Sequence, residues 1–247
     1  MPEPTRLLVL GGTAEARALC NALAGDPWLN ITMSLAGVTS APSLPEGVSA
    51  RTGGFGGAGG LSSYLRNAQT DLVIDATHPY AAIMSKTAGA VCAKAGIPLL
   101  RLERPAWSSE DGDVWHHVGS IMEAASVLAP SANVLLTTGR KELAPFLART
   151  DCRFVIRTIE PVDVNDFAYV TTIEARPPFS LEDEIALMSA HEIDTLVTKN
   201  AGGAGRAKLD AARQSRVRVI MIDRPPELAA DAETVDEMLH LIARHLG

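Results

Sequence analysis

Leu7-Leu8-Val9-Leu10-Gly11-Gly12-Thr13-Ala14-Glu15-Ala16-Arg17 is the stretch that sets the fold class. Four bulky apolar residues in succession need cover on both faces. A strand of a parallel sheet has such cover, because its crossover helices lie on both sides. Gly11-Gly12 ends the run, Thr13 is a helix-capping residue type, and Ala14 to Arg17 are mostly good helix formers. Strand, glycine turn and helix in that order open a βαβ unit. Against the pattern GxGxxG/A the match is Gly11, Thr13 and Ala16, with Gly12 between. Thr13 stands where the second glycine belongs, so it either caps the helix or gives its hydroxyl to a phosphate. The turn is either a nucleotide phosphate site, with a helix amino terminus aimed at the anion, or a plain strand-to-helix connection.

The same alternation continues along the chain. Strands are predicted at Arg6–Leu10, Asn30–Ala36, Asp71–Asp75, Ile97–Leu102, Asn133–Thr137, Arg153–Ile159, Thr195–Thr198 and Val217–Ile222. Helical periodicity lies between them, at Tyr80–Ala95, Leu181–His191, Ala204–Arg213 and Asp231–Leu246, and Gly96 stands where a helix-ending left-handed residue belongs. Repeated βα units imply an α/β fold with a largely parallel sheet. Two halves are expected, 1–112 and 113–247, with the polar, turn-rich run Ser108 to Asp113 as the link.

Composition narrows the function classes. The 247 residues carry a formal net charge of −7, which weighs against bulk nucleic-acid or anionic-membrane binding while leaving room for a local basic pocket. No apolar run has the length of about 18 residues that a membrane span needs. The start of the chain lacks the basic segment and long apolar run of a signal peptide, so a cytoplasmic protein is expected. Cys20, Cys92 and Cys152 are scattered among apolar or helix-forming neighbours; packing residues in a reducing compartment fit them best. The six histidines show no metal-ligand spacing, and neither GxSxG nor GxxxxGK[ST] occurs, so no metal site, serine nucleophile or P-loop is expected. The oligomeric state, monomer or small homo-oligomer, is left open.

Five motifs could carry chemistry, and four of them follow predicted strands, at the ends where ligands of open α/β sheets bind. The first is the turn of Gly11, Gly12 and Thr13. At the end of the second strand the sequence is Ala36-Gly37-Val38-Thr39-Ser40, without the acid that selects NAD by binding the ribose 2′-hydroxyl. That absence, with Arg17, Thr39 and Ser40 near the expected 2′ position, favours NADPH, although Arg17 equally suits a solvated helix face. The run Gly53 to Gly60, containing Gly54 and Phe55, holds six glycines in eight residues. Ordering them costs backbone entropy, so the segment is either mobile or approached closely by a ligand. Asp75-Ala76-Thr77-His78-Pro79-Tyr80-Ala81 puts Thr77 beside the cofactor region and offers His78 and Tyr80 as proton donors. The bland readings are a histidine bonded to its own loop and a tyrosine that merely packs. In the second half, Thr137-Thr138-Gly139-Arg140-Lys141 and Thr198-Lys199-Asn200-Ala201-Gly202-Gly203 are polar strand ends. Arg140 and Lys199 there, with Arg206 and Lys208 beyond, suit a polyanionic ligand met also by Asn200, Gly202 and Gly203.

Taken in order, LLVLGGTAEAR, GGFGG before GL, DATHPYA, TTGRKEL, TKNAGG before AKLDAAR, and IDRP resemble the precorrin-6A reductase family of corrin biosynthesis over nearly the whole chain. The resemblance implies two Rossmann-like lobes with a cleft between them. It also implies NADPH as cofactor and reduction of a polycarboxylate tetrapyrrole, precorrin-6A, to precorrin-6B. Two alternatives accompany it: the cobalt-containing form of the same substrate, and a non-catalytic module that senses NADP(H) or carries a tetrapyrrole.

Overall fold

The computed structural model describes residues 3–37, 45–226 and 229–246. The chain divides into two compact units, Met1–Pro105 with Pro226–Gly247, and Ala106–Pro225. The first contains β1 (Thr5–Leu10), β2 (Leu29–Leu35), β3 (Ser49–Thr52), β4 (Leu72–Asp75) and β5 (Leu99–Arg101), in the order β3-β2-β1-β4-β5 and parallel throughout. The run Leu7 to Leu10 is apolar at every position because both faces are covered. Leu7 and Val9 join Ile31, Met33 and Ile74 under α1 (Ala14–Leu23) and the C-terminal helix, Val235–Leu246. Leu8 and Leu10 point the other way, onto Leu61 and Leu65 of α2 (Gly57–Asn67) and Ala88 and Val91 of α3 (Ala82–Ala95). Cys20 and Cys92 are buried thiols whose pKa burial pushes up to about 11, as expected of packing residues.

The second unit holds β6 (Trp115–Val118), β7 (Asn133–Leu136), β8 (Arg153–Thr158), β9 (Val170–Glu174), β10 (Thr195–Lys199) and β11 (Arg218–Ile222), ordered β6-β11-β10-β7-β8-β9 and again parallel. Its helices are α4 (Ile121–Ser126), α5 (Ala144–Leu147), α6 (Leu181–Ala190) and α7 (Ala207–Gln214). Five of its strands, β9-β8-β7-β10-β11, repeat the connectivity of the first sheet, and β6 is added beyond β11. In the first unit the corresponding edge is filled by a parallel bridge from Leu102 to Ala232. After the fifth strand of each sheet, therefore, the chain crosses to the edge of the other sheet.

This crossing corrects the expected division at residue 112. The C-terminal helix belongs to the first unit, because Met238 and Ile242 are buried against Leu19 and Leu23 of α1. The segment Ser108 to Asp113 is no free link either. Arg206 pairs with Glu110 at 3.0 Å and Asp113 at 3.2 Å, and Arg213 with Glu110 at 2.7 Å, all within the second unit. The C-terminal helix starts four residues later than its apolar pattern suggested, because Asp231 and Ala232 donate backbone N–H groups to the Arg101 carbonyl at 2.9 and 3.1 Å. Likewise α3 starts at Ala82; His78 to Ala81 form a turn in which the Ala81 N–H donates to the His78 carbonyl at 2.7 Å. Strands β3, β6 and β9 were not predicted. All three are short edge strands with mixed or exposed faces, so no apolar period marks them.

Candidate functional site: two strand-order switch points

In each sheet the strand order reverses once: between β1 and β4 in the first unit, and between β7 and β10 in the second. Open α/β sheets bind ligands in the crevice outside the carboxyl ends of the strands at such a reversal. Four of the motifs singled out in the sequence follow these four strands. Gly11-Gly12-Thr13 follows β1, Ala76-Thr77-His78 follows β4, Thr137-Thr138-Gly139 follows β7, and Asn200 to Gly203 follow β10.

At the first switch point, Gly11 is enforced by packing. A Cβ there would lie 2.5 Å from Met33 Cε and 3.4 Å from Ala16 Cβ, so the turn sits tightly between β2 and α1. Gly12 has φ +116 and open space around it, a conformation suited to glycine that leaves backbone accessible. Thr13 caps α1: its Oγ1 accepts from Ala16 N–H at 3.0 Å and donates to the Ala76 carbonyl at 2.8 Å. The hydroxyl proton is thereby committed to the end of β4. Thr13 serves as helix cap and strand tie, and phosphate would be met by backbone N–H groups at the helix start. Arg17 is exposed on α1. Thr39 and Ser40 lie outside the described residues.

The turn after β4 is held by a buried charged group that sequence reading passed over. Asp75 is 1% exposed; its Oδ1 accepts from Thr77 N–H at 3.1 Å and Thr77 Oγ1 at 2.7 Å, and its Oδ2 pairs with Arg101 at 2.8 Å. Arg101 also pairs with Glu103, and its backbone N–H donates to Asp231 at 2.7 Å. The signal was present: an acid and an arginine, each ending an otherwise apolar strand. His78, exposed beyond this anchor, accepts the Tyr80 N–H on Nδ1 at 3.3 Å, and the two rings lie 5.6 Å apart. An Nδ1 that accepts places the proton of a neutral ring on Nε2.

The glycine run is only partly a loop. From Gly57 onward it is the first turn of α2. A Cβ on Gly60 would stand 1.6 Å from the Phe55 carbonyl oxygen, so the close approach at that position is made by the chain's own backbone. Gly54 and Phe55 are fixed from β3. Arg51 donates to the Gly53 carbonyl at 2.8 Å and the Gly54 carbonyl at 3.1 Å, and lies 3.8 Å from the Phe55 ring centre.

At the second switch point Thr138 and, at the end of β8, Thr158 are 7% and 6% exposed, yet their hydroxyls have no hydrogen-bond partner among the described residues. Buried orphans of this kind mark a place for a ligand or water. Gly139 follows Thr138 with φ +91, and Arg140 is exposed beyond it. Lys199 is paired with Glu142. Asn200 is buried, and its side-chain amide is spent on Trp107, accepting from its N–H at 2.7 Å and donating to its carbonyl at 2.9 Å. Its visible role is to pin Trp107, whose indole N–H donates to the Gly203 carbonyl at 2.8 Å. Gly202 and Gly203 have φ +71 and +75. Arg206, one of the cations expected at this rim, is consumed by Glu110, Asp113 and Asp210. Lys208 is different. It lies half-buried in the first turn of α7, 5.3 Å from the Trp107 ring centre. Its pKa is pushed down to about 8, mostly by burial and in part by the positive Arg157, with Glu184 opposing the shift. Arg157 and Glu184 are themselves joined by two bonds of 2.9 and 2.8 Å, with Arg157 lying 4.0 Å from the Phe179 ring centre. Arg157, Glu184 and Lys208 together leave one positive charge at this strand edge.

A profile of the family described as precorrin-6x reductase CbiJ/CobK matches residues 6–243. The chain belongs to this family. A precorrin-6A reductase of Rhodococcus erythropolis is 46% identical over 241 residues, covering 97% of this chain and 96% of the relative. A cobalt-precorrin-6A reductase of Methanothermobacter thermautotrophicus is 30% identical, over 94% of this chain and 80% of that one. A solved structure described as CobK precorrin-6A reductase superposes with a TM-score of 0.89 at 38% identity, covering 98% and 97% of the two chains. The two parallel-sheet α/β units are thus the architecture of a precorrin-6x reductase, and the chain is an oxidoreductase.

Proposed function

We propose that the protein is an NADPH-dependent reductase converting precorrin-6A to precorrin-6B in cobalamin biosynthesis. The first unit takes the cofactor and the second takes carboxylates of the macrocycle. The observation that carries this reading is the coincidence of the four sequence motifs with the four strand ends that flank the two switch points. The metal-free substrate is favoured over the cobalt form because identity is 46% to a precorrin-6A reductase and 30% to a cobalt-precorrin-6A reductase.

The first unit fits a dinucleotide. Gly12 leaves backbone open at a capped helix start, and the sheet follows five strands of the 3-2-1-4-5-6 dinucleotide-binding order. Gly11, Gly12 and Thr13 would hold phosphate, and Thr77, Gly54 and Phe55 border the same strand edge. When bound, the nicotinamide supplies the hydride, and one proton is taken up by the macrocycle. His78 presents Nε2–H as the candidate donor, with Tyr80 beside it and solvent as the competitor. Arg140, Lys199 and Lys208 supply positive charge for carboxylates, and Gly202 and Gly203 supply backbone. We place the protein in the cytoplasm, where three buried free thiols stay reduced; among the described residues no helix is long and apolar enough to cross a membrane.

The test is NADPH oxidation by the purified protein with metal-free and cobalt-loaded precorrin-6A. Repeated turnover with the metal-free macrocycle is expected. Binding of NADPH without turnover on either substrate would replace the reductase by a sensor or carrier.

A further inference from the structure

The register of the first sheet aligns Arg51, Ser34, Leu10, Asp75 and Arg101 in a single row at the carboxyl ends of β3, β2, β1, β4 and β5. Ser34 joins two members of the site. Its carbonyl accepts the Gly11 N–H at 2.9 Å, and its hydroxyl accepts from Arg51 at 2.9 Å. Arg51 is therefore one residue away, through hydrogen bonds, from the turn assigned to phosphate.

The surroundings of Arg51 are unusual for this protein. Arg101, Arg104, Arg157 and Arg206 each face a carboxylate. Arg51 is half-buried, as are Arg104, Arg157 and Arg206, but its partners are all neutral: Ser34 Oγ, the Gly53 and Gly54 carbonyls, and the faces of Phe55 at 3.8 Å and Tyr64 at 5.3 Å. Among the described residues no carboxylate pairs with it. A partly desolvated cation without a counter-charge is costly unless an anion arrives. Three of the five guanidinium N–H bonds are used in these contacts, and the ring stack fixes the plane of the group.

In a dinucleotide site the ribose of the adenosine half is read at the end of β2, the strand between the phosphate turn and β3. We propose that Arg51 is the residue that recognises the 2′-phosphate of NADPH and so sets cofactor choice, in place of Arg17, which stands exposed on α1. A phosphate dianion supplies the missing counter-charge, and guanidinium matches its geometry better than ammonium does. The inference rests on the NADPH reading made above.

The test is binding of two fragments without a nicotinamide, adenosine 2′,5′-bisphosphate and adenosine 5′-diphosphate, measured by calorimetry on wild type, Arg51→Met and Arg51→Lys. Arg51→Met is expected to weaken the 2′,5′-bisphosphate at least about tenfold and the 5′-diphosphate less than about twofold, the size of a lost charge-assisted contact. Arg51→Lys keeps charge without the fork and should fall between, with the same selectivity. It also serves if the methionine variant does not fold. Equal losses for both fragments would make Arg51 a clamp for the glycine loop and overturn the proposal, as would no loss for either. A wild-type protein indifferent to the 2′-phosphate would sink the NADPH reading itself, and a wild type that prefers it with both variants unchanged would sink only the assignment to Arg51.

Discussion

Thr77 binds Asp75 twice, through its backbone N–H at 3.1 Å and its hydroxyl at 2.7 Å, so the turn bearing His78 is moored to a carboxylate that is 1% exposed. Arg101 balances that carboxylate from the next strand at 2.8 Å. Asp75→Asn keeps the shape and removes the charge, leaving Glu103 as the remaining carboxylate on Arg101. Breaking a buried pair from one side is expected to cost roughly 3 kcal/mol. Urea unfolding should show the lower midpoint, and the KM for NADPH should rise because the turn after β4 loses its anchor. An unchanged midpoint would mean that Glu103 alone suffices for Arg101.

Gly60 and Gly59 are neighbours in α2 with opposite constraints. A Cβ at Gly60 would stand 1.6 Å from a backbone oxygen, whereas at Gly59 nothing lies within 4 Å. Gly60→Ala must push Phe55 away and is expected to lose about 2 kcal/mol or more. Gly59→Ala gains helix propensity on an exposed turn, worth up to about 1 kcal/mol. Thermal unfolding of the two variants should therefore move in opposite directions.

Lys208 gives stability a pH dependence of definite sign. Its pKa is about 8 in the folded chain against an ordinary 10.5, so between those values the unfolded chain binds more protons. The penalty for burying the charge is complete below about pH 8 and fades as pH rises toward 10.5. Lys208→Met should remove that slope. The difference in urea stability between variant and wild type is expected to favour the variant at pH 7 and to shrink by pH 9.5. A constant difference would show that Lys208 does not titrate in this window. If the ammonium also meets a substrate carboxylate, KM for the macrocycle should rise above about pH 8 in wild type only.

Much of this was legible in the sequence, for identifiable reasons. Strands covered on both sides are apolar at every position, so β1 and β4 declare themselves, and ligand sites lie where their polar ends begin. The division of the chain was not legible, because the contacts that decide it, Leu102 with Ala232 and Met238 and Ile242 with Leu19 and Leu23, join residues far apart in sequence. Nor was the economy of charge. Arg206 and Lys208 look alike as cations two residues apart, yet one is paired with three carboxylates and the other is half-buried beside a positive Arg157. Asn200 has the polar strand-end character of a substrate ligand, but its bonds to the Trp107 backbone could not be read from the sequence.

The proton donor remains the sharpest question about the reaction. Nδ1 of His78 accepts the Tyr80 N–H at 3.3 Å, so the outward Nε2 carries the proton of a neutral ring, and protonation at Nδ1 would break that bond. A donor in this position acts through Nε2–H. His78→Gln can still offer an N–H hydrogen bond from its amide but cannot give up that proton. If His78 supplies the proton, His78→Gln is expected to lower kcat by about 10²-fold or more, the usual weight of general acid catalysis. His78→Ala should do the same, with KM for NADPH little changed, because the moorings of Thr77 to Asp75 do not involve the ring. Should both variants turn over at the wild-type rate with the wild-type pH profile, the proton comes from solvent and His78 serves only its own turn.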